Sequence, residues 1–103
     1  KLLDLTQQPP LTFQEISKEK FPCFYLAKEV AFEGDSLPTV MNAANEIAVH
    51  AFLDGHIKFT DIYKVIREIT EGHKKKKLSS VEEVIEIDSE SRVSAIEVVK
   101  KYN

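Results

Sequence analysis

Pro38-Thr39-Val40-Met41-Asn42-Ala43-Ala44-Asn45-Glu46-Ile47-Ala48-Val49-His50-Ala51-Phe52-Leu53 is the stretch that decides the fold. Val40, Met41, Ala44, Ile47, Ala48, Ala51 and Phe52 fall on one stripe at helical spacing, while Ala43, Val49 and Leu53 add apolar groups around the other side. Pro38 suits a first helical turn, Ser36 is placed to cap it, and Gly55 follows as a terminator, so a helix is expected over about 38–54. A helix apolar nearly all round belongs in the middle of a bundle. At 100° per residue Asn45 sits between Phe52 and Val49, and Asn42 between Val49 and Leu53. Both amides are therefore expected to be at least partly buried, and buried amides need partners.

The flanking sequence predicts more helix. Pro22–Glu33 carries Cys23, Leu26, Ala27, Val30 and Ala31 on one face, with Gly34 to end it. Ile62, Val65, Ile66 and Ile69 give a third helix from Thr60 or Asp61 to Gly72, followed by His73 and the basic run Lys74–Lys77. Ser79 with Glu82, or Ser80 with Glu83, fits a capping box before Val81, Val84 and Ile85, which are expected to face inward. Asp88 or Ser89 is expected to re-cap the chain into a last helix holding Ala95, Val98, Val99 and Tyr102. Residues 1–21 show no period, and Pro9 and Pro10 exclude helix around them. Leu11-Thr12-Phe13 adds at most one short extended segment. The reading is an all-α bundle of four or five helices, residues 22–103, preceded by an extended connector, residues 1–21, lying on its surface.

The 103 residues are 43% hydrophobic and 30% charged. A chain of this size folds as one domain and buries roughly two-thirds of its unfolded surface. A formal charge of −3 gives no basic face for nucleic acid. Residues 1–52 carry four basic and seven acidic side chains, residues 53–103 ten of each. No apolar run approaches the roughly 18–20 residues of a membrane span. The chain begins at Lys1 and its only methionine is Met41, which reads as a piece of a longer protein.

Chemistry-bearing patterns are scarce. Gly34, Gly55 and Gly72 are all assigned to helix ends, so none is left for a phosphate-cradling loop. His50, His56 and His73 lack metal-ligand spacing; His56 and His73 follow helix-terminating glycines, where a cation faces the negative pole of the backbone dipoles. Cys23 reads as a small hydrophobe rather than a nucleophile, and as a lone cysteine it forms no intrachain disulfide. Glu82, Glu86 and Glu90 read as a solvated face, Lys74–Lys77 as a solvated connector. Asn42, Asn45 and Glu46 remain as the polar residues in need of explanation, and the clamp reading, in which they satisfy backbone groups of the connector or a neighbouring domain, outweighs a ligand-binding one.

Pro38–Leu53 closely resembles the hallmark helix of the 1-deoxy-D-xylulose 5-phosphate reductoisomerase family. Leu11-Thr12-Phe13, Phe21-Pro22-Cys23 with Leu26-Ala27, and Ile57-Lys58-Phe59-Thr60-Asp61-Ile62 fit the same family in the same order. The resemblance implies a parent enzyme of the non-mevalonate isoprenoid pathway. It would isomerise 1-deoxy-D-xylulose 5-phosphate and reduce the product with NADPH to 2-C-methyl-D-erythritol 4-phosphate, using Mg²⁺ or Mn²⁺. This chain matches only the family's C-terminal helical bundle and the connector into it, so no catalytic, cofactor-binding or metal residue carries over. For Asn42, Asn45 and Glu46 the resemblance implies interdomain packing, with the catalytic domain of the same chain as partner. It further implies a homodimeric full enzyme, inactivity of this piece alone, and a cytoplasmic location, or a plastid one in a plastid-bearing source. The rival from another class is a small helical interaction module, binding a partner through an apolar patch or the Lys74–Lys77 loop.

Overall fold

A computed structural model describes residues 2–103. After a short 3-10 turn, Leu5–Gln7, come four helices: α1 Pro22–Glu33, α2 Leu37–Leu53, α3 Phe59–Gly72 and α4 Val81–Tyr102. There is no strand among the described residues. The fold is all-α, as the periodicity requires.

Helix α2 is the hub and packs against each of the other three. Its Val40, Ala43, Ala44 and Ala48 are fully buried. Small alanines let the neighbouring helices approach closely, and the larger Val65, Ile66, Ile87 and Val98 of α3 and α4 fill the space between them. Burying one Ile or Val side chain contributes about 1.5–3 kcal/mol, so these few positions dominate stability.

The ends have local causes. Gly34 and Gly55 take positive φ of 69° and 81°, which side-chain-bearing residues rarely adopt, and the N–H of Gly34 donates to the Val30 carbonyl. Gly72 is different: it is the last residue of α3, and His73 is the cap. Phe59, one residue before the expected start, opens α3 because the Asp61 carboxylate accepts the Lys58 N–H at 2.9 Å. The α4 start uses Ser80, whose Oγ accepts the Glu83 N–H at 3.2 Å, while the Glu83 carboxylate takes the Ser79 N–H at 2.7 Å.

Four expectations need correction. The re-capping at Asp88 or Ser89 does not occur. The Asp88 carboxylate instead pairs with Arg92 one turn on, at 2.8 Å, and α4 runs unbroken for 22 residues. Val81, Val84 and Ile85 do not face inward; they are 70%, 37% and 60% exposed, and Ile87 takes the buried position. On α1, Ala27 and Ala31 are exposed, because the helix turns its Cys23, Leu26 and Val30 edge to the bundle and leaves the other edge of the stripe open. Only the end of the connector lies on the bundle: the Ile16 carbonyl accepts the Tyr25 hydroxyl and Glu19–Phe21 line a depression with Phe59 and Ile62 of α3. Residues 2–15 extend away, and the radius of gyration is 17.4 Å, against about 13 Å for a compact chain this long.

Candidate functional site

The two asparagines occupy the side of α2 that this chain leaves uncovered. Asn42, Asn45 and Glu46 are all exposed. The expected burial of the two amides is therefore not supplied by the chain's own helices. Three helices pack on α2, and they close round Val40, Ala44 and Ala48 but leave an arc containing Pro38, Asn42 and Asn45 open. Among the described residues neither amide side chain makes a hydrogen bond.

The surroundings of that arc are apolar. On one side Asn42 and Asn45 line a shallow depression of about 310 Å³ with Ala27, Val30, Ala31 and Met41. On the other, Asn42 and Pro38 line a second depression of about 430 Å³ with Val84, Ile85 and Asp88. Of the residues that depart from an inward-facing role, Ala27, Ala31, Val84 and Ile85 rim the amides, whereas Val81 lines neither depression. The two depressions thus place unpartnered amide donors and acceptors among mainly apolar side chains on an uncovered face.

Glu46 is engaged differently. Its carboxylate is paired with the Arg92 guanidinium of α4, and Arg92 also holds Asp88 at 2.8 Å. The two carboxylates raise the Arg92 pKa above its ordinary value, the Asp88 bond most strongly. Glu46 therefore ties α2 to α4 within the domain and fixes the wall of the second depression.

A second polar cluster lies at the α1–α2 junction. Ser36 precedes α2, but its side chain does not cap the helix. It is wholly buried, and its Oγ lies 2.7 Å from His73 Nε2 and accepts the Lys76 N–H at 3.0 Å. Lys75 adds a 2.9 Å ion pair with Glu33. The basic loop is thus strapped to the bundle rather than being a free solvated connector. Burial, with the Lys76 charge, lowers the His73 pKa against an opposing pull from Glu90, which disfavours the cation expected at the end of α3. Periodicity had no means of finding this contact between residues so far apart in the chain.

The remaining candidates carry no reacting chemistry. The Cys23 thiol is half-buried and its pKa is raised by that burial, opposite to what an activated thiolate needs. Among the described residues no group of three His, Cys, Asp or Glu side chains is placed to hold a metal ion. No helix of the described residues is long and apolar enough to cross a membrane.

Comparison with known proteins places the chain in a family. The family model described as the DXP reductoisomerase C-terminal domain matches residues 1–94. The chain belongs to the DXP reductoisomerase C-terminal domain family. Relatives named 1-deoxy-D-xylulose 5-phosphate reductoisomerase include those of Trichlorobacter lovleyi, 46% identical over 95% of this chain, and Geotalea daltonii, 47% identical over 99%. The chain spans only 25% and 27% of their lengths. The family fold is equally clear in the Zymomonas mobilis reductoisomerase solved in complex with NADPH, with a TM-score of 0.89 and 40% identity. That match covers 96% of this chain and 26% of the other. Family membership removes the rival reading in which the likeness was incidental.

Proposed function

We propose that this chain is the C-terminal structural domain of an NADPH-dependent 1-deoxy-D-xylulose 5-phosphate reductoisomerase, the enzyme that makes 2-C-methyl-D-erythritol 4-phosphate. Residues 1–21 lead from the catalytic domain, and residues 22–103 buttress it. The single observation that carries the reading is the open face of α2. Asn42 and Asn45 stand without partners between depressions rimmed by exposed Ala27, Ala31, Val84 and Ile85. The catalytic domain covers this face in the parent enzyme, and its backbone groups satisfy the two amides.

The residues present do not fit the cofactors of the parent enzyme. Among the described residues there is no metal-ligand cluster, and the two glycines with positive φ end helices rather than forming a phosphate loop. NADPH and Mg²⁺ or Mn²⁺ are therefore held by the rest of the parent protein, and this domain adds no reacting group. The full enzyme is a homodimer in the cytoplasm, or in a plastid where the source has one.

The test is direct. The purified 103-residue chain, supplied with substrate, NADPH and Mn²⁺, should consume no NADPH above the blank, while the full-length protein turns over. Turnover by the chain alone would overturn the structural assignment.

A further inference from the structure

The connector has a property that a simple tether does not need. Between Pro9 and Ser17 the chain has neither helix nor turn, and the side chains of residues 2–16 are all exposed. Leu11 and Phe13 are 85% and 89% exposed, with the polar Thr12 and Gln14 alternating with them. Among the described residues the N–H groups of Leu11, Thr12, Phe13, Gln14 and Glu15 have no hydrogen-bond partner. The first carbonyl engaged after them is that of Ile16, which accepts the Tyr25 hydroxyl at 2.6 Å. The anchor at Ile16 fixes where the arm leaves the bundle.

Alternation with period two, an unused row of backbone donors and acceptors, and two large apolar groups on one side are the features of a strand without its sheet. Pro10 fits the position just before such a strand, because a proline is tolerated at a strand start or edge. The bundle has no strand among the described residues to pair with. Relatives continue for about three times this chain's length beyond it, and one binds NADPH, a class of ligand held at the ends of sheet strands.

We propose that Leu11–Glu15 adds as an edge strand to a sheet in the upstream part of the same polypeptide, with Leu11 and Phe13 seated on that sheet's apolar face. Main-chain hydrogen bonds give the attachment its strength, and the alternate side chains fix its register. The inference rests on the reading that the chain continues upstream into a catalytic domain, but not on the Asn42 face. The arm and the bundle dock separately.

Hydrogen exchange on the full-length protein, resolved to single amides, tests it. An added edge strand is paired along one side only, so every second amide from Leu11 to Ile16 should exchange at least about a hundredfold more slowly than in the isolated 103-residue chain. The intervening amides should remain fast. Uniformly fast exchange through Leu11–Ile16 overturns the proposal while leaving the buttress reading intact. So does protection that disappears on dilution to the monomer, which would assign the sheet to a second copy. As a second readout, Phe13→Ser should lower the melting temperature of the full-length protein and leave that of the isolated chain unchanged. An equal shift in both would place Phe13 within the bundle and contradict the proposal.

Discussion

The Oγ of Ser36 lies 2.7 Å from Nε2 of His73, although 37 residues separate them in the chain. The contact joins the start of α2 to the end of α3. It also anchors the basic loop, because the same oxygen accepts the Lys76 N–H. Burial and the Lys76 ammonium lower the His73 pKa, against an opposing pull from Glu90. The unfolded chain therefore takes up a proton near the ordinary histidine value of 6.5, where the folded chain still resists it. Stability contributed by this site is complete above that value and is lost as the pH falls from it toward the lowered folded value. Urea titrations of the isolated domain at pH 7.5 and 5.5 should show the loss, and His73→Gln should shrink it. An unchanged pH dependence in the variant would mean the neutral imidazole contributes nothing.

The core makes a sharp contrast between two isoleucines. Ile66 is 1% exposed and Ile85 is 60% exposed. Ile66→Ala should destabilise the isolated chain by about 2–5 kcal/mol, much of the margin of a domain this small. Ile85→Ala should change it by no more than about 0.5 kcal/mol. In the full-length protein Ile85→Ala should become clearly destabilising, because the rim of the Asn42 face is then covered. Denaturant midpoints of both variants in both contexts check this.

Ser80 accounts for the start of α4 by accepting the Glu83 N–H at 3.2 Å. Ser80→Ala should cost about 1 kcal/mol of domain stability, and Ser80→Asp, which keeps an acceptor at the same place, should restore most of it. Equal losses in both variants would show that the cap is not what fixes this helix end.

The Glu46–Arg92–Asp88 network should respond to salt. A double-mutant cycle with Glu46→Gln and Arg92→Met measures the coupling between α2 and α4. That coupling should be favourable at low ionic strength and diminish as NaCl is added, because the groups are solvent-accessible and screened. A coupling insensitive to salt would contradict the ionic account.

Much of the fold was legible because helical periodicity and its punctuation act locally. Pro22 and Gly34 bound α1 as read from the sequence, and the Val40, Ala44, Ala48 stripe is the buried one. The failures share a cause. A helical wheel ranks positions round one helix but does not count how many neighbours surround it. It therefore partly buries Asn42 and Asn45 and turns Val81, Val84 and Ile85 inward, whereas the bundle closes on only part of α2 and α4. The unbroken α4 is not legible locally, because Asp88 resembles a cap in sequence but serves as an ion-pair partner of Arg92. Ser36 likewise resembles a cap in sequence, and its partner, His73, comes from far along the chain.

If the open face of α2 is a contact surface between domains, Asn45 should matter only where the second domain is present. Comparing Asn45→Ala with the native sequence, in the isolated chain and in the full-length protein, tests it most directly. The substitution should leave the isolated chain within about 0.5 kcal/mol of the native stability, since the amide has no partner there. In the full-length protein it should cost about 1 kcal/mol or more by stranding a group on the opposing surface, with little change in KM for substrate. Unchanged stability in both contexts together with a large rise in KM would contradict the account and make Asn45 a ligand contact instead.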